Sequence, residues 1–112
     1  MANLVPLNTF KTNTFTVANT ITTAYTTPSG VSTVVLLAQF TNIGTVVGNV
    51  TMYHSRTNVD VELAKGFIIP PNDAGNVISG RLILEQGDSL KILASDNNLF
   101  KFTFSYLETA NA

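Results

Sequence analysis

Apolar and polar residues alternate along most of this chain. Phe100, Phe102, Phe104 and Tyr106 are separated by Lys101, Thr103 and Ser105, so an extended backbone there places four aromatic rings on one side of a strand. Shorter alternations run through Leu90-Lys91-Ile92-Leu93-Ala94, Leu82-Ile83-Leu84 and Val50-Thr51-Met52-Tyr53-His54. No segment keeps the i, i+3, i+4, i+7 spacing of an amphipathic helix over a useful length. The pattern predicts strands near residues 9–17, 21–27, 31–42, 45–54, 59–69, 78–85, 89–95 and 99–108. That is an all-β chain, an antiparallel, jelly-roll-like β-sandwich of about eight strands with little or no helix.

Turn residues punctuate these runs. Thr27-Pro28-Ser29-Gly30, Asn42-Ile43-Gly44, Arg56-Thr57-Asn58 and Asp96-Asn97-Asn98 are expected to join antiparallel neighbours. Gln86-Gly87-Asp88 reads as a hairpin turn with Gly87 at positive φ. Pro70 and Pro71 remove two ladder donors, so residues 70–76 are expected to cross from one sheet to the other. The run at 31–42 is apolar on both faces, with Val35 and Leu37 on one and Val34, Leu36 and Phe40 on the other. Such a strand is covered on both sides, and one of the covers is expected to be another protein. Residues 1–8 form an N-terminal arm or edge segment in which Leu4, Val5 and Leu7 are the expected contact residues, and 9–112 form a single sandwich domain.

Composition sharpens this. Of the 112 residues, 45% are hydrophobic and only 12% charged, about half the usual charged fraction. A surface this neutral lacks the ordinary solubility device, which points to cover by other protein and to homo-oligomers. The net charge is −1 and the six Lys and Arg are scattered, so no basic stripe exists to neutralise phosphates, and no nucleic-acid partner is expected. The absence of cysteine excludes a disulfide framework and thiolate chemistry, and fits folding in a reducing cytoplasm. The opening residues lack the basic and long apolar regions of a secretory signal. The longest apolar run, Val34–Ala38, is too short for a bilayer, so no membrane partner is expected.

Candidate chemistry is sparse. Glu85 and Asp88 lie three residues apart, but an acid–base pair needs carboxylates converging on a desolvated pocket, and nothing nearby supplies desolvation or a partner cation other than Arg81. A turn role is expected, with Asp88 accepting a backbone amide. His54 is the single histidine, which leaves no His-His or His-Cys metal spacing, and it reads as an ordinary strand-end residue. Asn72, Asp73 and Asn76, or Asp96, Asn97 and Asn98, could offer oxygens to calcium, but neither group has EF-hand spacing, and turn chemistry accounts for both. Asp60 and Glu62 share a strand face within reach of Lys65 or Lys91, as edge protection does. The four aromatics of 100–106 could stack on bases or sugars, yet without basic neighbours they read as core. The glycines are dispersed and form no phosphate-cradling loop. No catalytic residue, metal site or cofactor is assigned, and the chain is not expected to be an enzyme.

The order of features carries a resemblance. Ala24-Tyr25-Thr26-Thr27-Pro28-Ser29-Gly30 leads to an apolar strand ending in Phe40-Thr41-Asn42. Gly48-Asn49-Val50-Thr51-Met52-Tyr53-His54 follows, then Phe67-Ile68-Ile69-Pro70-Pro71, then Leu82-Ile83-Leu84-Glu85-Gln86-Gly87-Asp88-Ser89-Leu90-Lys91-Ile92. This succession resembles small β-sandwich virion structural proteins of tailed phages, in which a Tyr-x-x-Pro-x-Gly turn precedes the core strand and Leu-Glu-x-Gly-Asp-x-Leu forms the late hairpin. The opening residues 1–7 and terminal residues 106–112 resemble those of large contractile-tailed marine cyanophages. The resemblance implies a non-enzymatic virion protein assembled in the host cytoplasm, with other virion proteins, the major capsid protein or tail proteins, as partners. Small size, β character and low charge suit a capsid decoration or cement protein. The alternatives are a tail, neck, baseplate or fibre subunit, and a carbohydrate-binding attachment module using Tyr25, Tyr53 or Tyr106.

Overall fold

The computed structural model describes residues 8–78 and 80–110, so Leu4, Val5 and Leu7 lie outside the described residues. Nine strands are present among these: β1 (Asn8–Thr16), β2 (Thr22–Thr26), β3 (Val31–Asn42), β4 (Gly48–Arg56), β5 (Val59–Ile69), β6 (Ala74–Asn76), β7 (Leu82–Leu84), β8 (Ser89–Ala94) and β9 (Phe100–Ala110). They form two sheets. Sheet A has the order β1-β9-β3-β6, with β7 also against β3, and sheet B has the order β2-β8-β4-β5. Every pairing is antiparallel. The all-β sandwich, without helix among the described residues, is as the alternation predicts.

The connections differ from expectation. Only β4 and β5 are both consecutive in the chain and paired with each other. They are joined by Thr57 (φ 52°) and Asn58 (φ 63°), a two-residue turn with both φ values positive, which matches the twist of a hairpin. The segments at 27–30, 43–47, 85–88 and 95–99 each pass from one sheet to the other. They are corners, not hairpins. Pro, Gly and Asn serve both purposes, because what they supply is a change of direction and not a choice of partner. Residues 70–73 do cross between the sheets, and the chain then forms the short β6 against β3, where no strand is expected from the sequence. The strand expected at 78–85 shrinks to Leu82–Leu84.

The core follows from β9. Phe100, Phe102 and Phe104 are fully buried and Tyr106 is 4% exposed, and all four project from one side of a strand flanked by β1 and β3. Phe40 packs on Phe102 at 4.7 Å between centroids, and Phe15 stacks on the same ring at 6.4 Å. From sheet B, Val50, Met52, Leu90 and Ile92 close the layer. Close approach between the sheets is needed at Gly75, where a Cβ would stand 2.5 Å from the ring of Phe67.

A bulge in β3 decides which apolar residues enter this core. The register against β9 slips between Val35 and Leu37, so Leu36 is unpaired and the alternation changes phase. Thr33 and Val35 point inward before it, and Ala38, Phe40 and Asn42 after it. Phe40 therefore belongs with Val35 and not with Val34 and Leu36, as strict alternation expects. Asn42 is fully buried and satisfied: Nδ2 donates to the carbonyls of Val46 (2.8 Å) and Ile69 (3.1 Å), and Oδ1 accepts from the Gly44 amide. One amide side chain thus ties a corner to the end of β5.

Phe102→Ala should lower unfolding free energy by about 3–5 kcal/mol, since it empties the ring site shared by Phe15, Phe40 and Phe104. Urea denaturation of the purified protein measures this.

Candidate functional site

Two polar clusters sit at the end of the sandwich where β1 begins and β9 ends. In the first, Asp88 is 1% exposed and accepts four hydrogen bonds. Arg56 Nε and Nη2 bind its two oxygens at 2.8 and 2.7 Å, the Glu85 amide donates to Oδ2 at 2.8 Å, and His54 Nε2 stands 3.0 Å from Oδ2. The two-pronged arginine contact, helped by the Glu85 amide and His54 against the cost of burial, holds the Asp88 carboxyl well below the usual carboxylate range. Glu85 meets the same guanidinium at 2.9 Å but is largely exposed. Asp88 has the turn role expected of it, but its cation is not Arg81, and desolvation is not lacking. The partner is Arg56, 32 residues away, and the carboxylate is buried.

A shallow, open depression of about 460 Å³ lies over this cluster, lined by Arg56, Thr57 and residues 85–88. Its charged groups are spent on each other. The carboxylates converge on a cation and not on open space. The cluster fastens the β4–β5 hairpin to the 85–88 corner.

In the second cluster, Tyr25 reaches from sheet B into sheet A. Its hydroxyl donates to Glu108 Oε2 at 2.5 Å and lies 2.8 Å from Thr33 Oγ1, while its ring packs on Phe104 and Tyr106 at 5.4 and 4.7 Å. Burial and the neighbouring carboxylate raise the phenol above its ordinary pKa. Lys11 Nζ completes the set at 2.8 Å from Glu108 Oε1. Burial works against ionisation of Glu108, but the bonds from Lys11 and Tyr25 outweigh it and hold its pKa below the ordinary value. The corner at 27–30 is bonded to that at 85–88 through Thr27 N to Asp88 O (2.8 Å), Gly87 N to Thr27 O (3.2 Å) and Gly30 N to Gln86 Oε1 (2.7 Å). The Tyr-x-x-Pro-x-Gly and Leu-Glu-x-Gly-Asp-x-Leu motifs are therefore adjacent corners of one end.

The other sequence candidates fall into place singly. Asp73 Oδ1 caps its neighbour's amide and Asn97 Oδ1 accepts from the Asn19 amide, while Asn72 and Asn98 take positive φ. These are turn roles. Asp60 meets Lys91 at 3.1 Å, and Glu62 stands 4.0 Å from Lys65. Of the three tyrosines, Tyr25 and Tyr106 are committed to the core and its network, and Tyr53 is half-buried on sheet B between Glu62 and Lys91.

The outer faces of the two sheets are unlike. On sheet B, Tyr53 sits in a cross-strand row with Glu62, Lys91 and Thr23, next to Asp60 and Ser55. On sheet A the register aligns Phe10 with Leu107, Leu107 with Val34, and Val34 with Ile83, an apolar row across four strands. Phe10 is 73% exposed and Ile83 54%. The residues around the row are mostly Thr, Ser, Asn and Gln, and the charged side chain among the outward positions of β1, β3 and β9 is Lys101, at the far end. Sequence reasoning expected an outward apolar face on β3 but could not see that three other strands extend it.

No family model matches the chain, and no curated protein matches it. Among solved structures, a chain from work described as "Bacillus endospore appendages form a novel family of disulfide-linked pili" aligns with a TM-score of 0.55 at 13% identity, over 99% of this chain and 100% of that one. The likeness is one of fold.

Because the folded-state pKa of Asp88 is depressed, its charge stabilises the fold above the unfolded carboxylate pKa of about 4, and this contribution is lost as the pH falls further. Asp88→Asn should cost about 1–3 kcal/mol at neutral pH, with the gap from wild type narrowing below pH of about 4. Denaturant midpoints across pH test it; a gap that stays constant would contradict the assignment.

Proposed function

We propose that this chain is a non-enzymatic structural protein of a phage virion, and within the particle a capsid decoration or cement protein. The observation that carries the reading is the neutral outer face of sheet A with its apolar row Phe10, Leu107, Val34 and Ile83. A row of this kind gains free energy only when another surface covers it. Each bound copy then stabilises the assembled shell over its separated parts by mass action. The reading needs no catalytic residue, metal or cofactor, and its partners are other virion proteins, the major capsid protein first among them. The resemblance supplies the phage address, and the sandwich fold is compatible with it.

A tail, neck, baseplate or fibre subunit is the second reading. It is favoured by the structural likeness to a chain from pili, because a sandwich of this architecture there belongs to a filament. The disulfide linkage in that description has no counterpart in these 112 residues, which contain no cysteine.

Counting copies in purified particles by cryo-electron microscopy separates the readings: hundreds place the protein on the shell, a few dozen or fewer on the tail. Ile83→Lys should reduce copies per particle at least several-fold with unchanged folding, since Ile83 is already half exposed, while Asn49→Lys on sheet B should not. Equal incorporation of both variants, or absence of the protein from mature particles, would refute the contact role.

A further inference from the structure

A sheet edge presents unpaired backbone groups that template another strand, and folds blunt such edges with short strands, bulges, proline or charge. Sheet A ends in β1 on one side and in β6 and β7 on the other; sheet B ends in β2 and β5. Strands β6 and β7 have three residues each. Strand β2 has five and a register break between Thr23 and Tyr25. Strand β5 is long, but its register slips twice against β4, Gly66 stands at φ 62°, and Asp60, Glu62 and Lys65 line it. Strand β1 carries only one of these devices, a single charge. It makes nine consecutive pairs with β9 without a shift, contains neither Pro nor Gly, and has one charged side chain, Lys11, already held by Glu108. Among the described residues no strand lies on its other side. Phe10 stands on this edge, where the apolar row ends.

We propose that β1 pairs with β1 of a second copy of this chain, antiparallel about a two-fold axis through Thr12, so that the two A sheets become one. A nine-residue strand pairs all nine of its residues with its own copy only when the axis passes through its middle residue, which is Thr12. In that register Lys11 faces Asn13 of the second copy, whereas an axis at Lys11 would oppose two like charges. The edge has one charge per copy, already paired with Glu108, and is self-complementary, which is what a closed two-fold contact requires of one surface meeting itself. The axis is perpendicular to the sheet, so both apolar rows lie on the same side and the outer face doubles in area. The use of that doubled face rests on the contact role proposed above; the pairing itself does not.

The chain has no cysteine, so Thr12→Cys supplies one thiol per copy. Directly opposite residues in an antiparallel pair have Cα atoms about 4.5–5.5 Å apart, inside the range of about 4.4–6.8 Å that a disulfide spans. Mild oxidation of the purified variant should give mostly covalent dimer, at least tenfold faster than Thr23→Cys on the β2 edge, and wild type should show a concentration-dependent dimer by sedimentation. Thr12→Lys, which places two lysines on the axis, should sediment as monomer with an unchanged circular dichroism spectrum. Cross-linking no faster than at Thr23, or a Thr12→Lys protein that dimerises like wild type, would overturn the pairing. A cross-linked dimer that never enters particles would instead remove the virion role and leave the edge contact standing.

Discussion

Strand β9 is the constraint from which the rest of the structure follows. Its inward column, Phe100, Phe102, Phe104 and Tyr106, supplies most of the aromatic volume between the sheets, and rings of this size bury far more apolar area than the Thr and Ser residues around them. A strand with such a column must lie inside its sheet, flanked on both sides, and β1 and β3 do this along its length. Sheet B then has little freedom: Met52, Leu90 and Ile92 fill the space opposite, and Tyr25 crosses the gap to lie on Phe104 and Tyr106. The polar network of Tyr25, Thr33, Glu108 and Lys11 is the consequence of bringing a hydroxyl into that space, since a buried hydroxyl without partners would cost more than its ring gains.

What could be read from the sequence was what depends on neighbours along the chain. Alternation within 100–106 and 90–94 identified strands and their inward residues, because side-chain direction in a strand is set by parity alone. The positive φ at Gly87 and the hydrogen bond from the Glu85 amide to Asp88 were legible for the same reason. Three kinds of feature were not. In the run Val34-Val35-Leu36-Leu37-Ala38 every residue is apolar, so nothing marks Leu36 as the one that bulges, yet that residue reverses the assignment of Phe40. Pairings between distant segments leave no local trace either, and Arg56 binding Asp88 is one. The corners mistaken for hairpins are a third case, since one turn chemistry serves both geometries.

The polar cluster at Asp88 illustrates how two nearby carboxylates differ from a catalytic pair. Acid–base chemistry needs one group kept protonated and another ionised, which burial or like-charge crowding achieves. Here one guanidinium stands between Glu85 and Asp88 and bonds both, so the pair is built around a cation. The arrangement is static: a buried anion with its hydrogen-bonding capacity filled gains nothing from moving. It fixes the mutual position of the β4–β5 hairpin and the 85–88 corner, and through the bonds from Thr27 and Gly30 it fixes the 27–30 corner as well.

The unequal faces and unequal edges of the sandwich are best understood together. A protein that only needed to stay dissolved would distribute its few charges evenly, since each one discourages association locally. Instead Asp60, Glu62, Lys65 and Lys91 gather on the outer side and free edge of sheet B, and sheet A is left with an apolar row and a long edge strand without a bulge. Charge on one sheet opposes stacking and strand addition there, although Val59, Val61, Phe67 and Ile68 of β5 are also exposed, and this favours contact through the other. Specificity of this kind needs both halves, because an attractive surface without a repulsive counterpart would let copies associate in several ways. The scarcity of charge in the sequence thus has a positional meaning that its total does not convey: Asp60, Glu62, Lys65 and Lys91 stand together on sheet B, while Lys101 is the charged side chain among the outward positions of β1, β3 and β9.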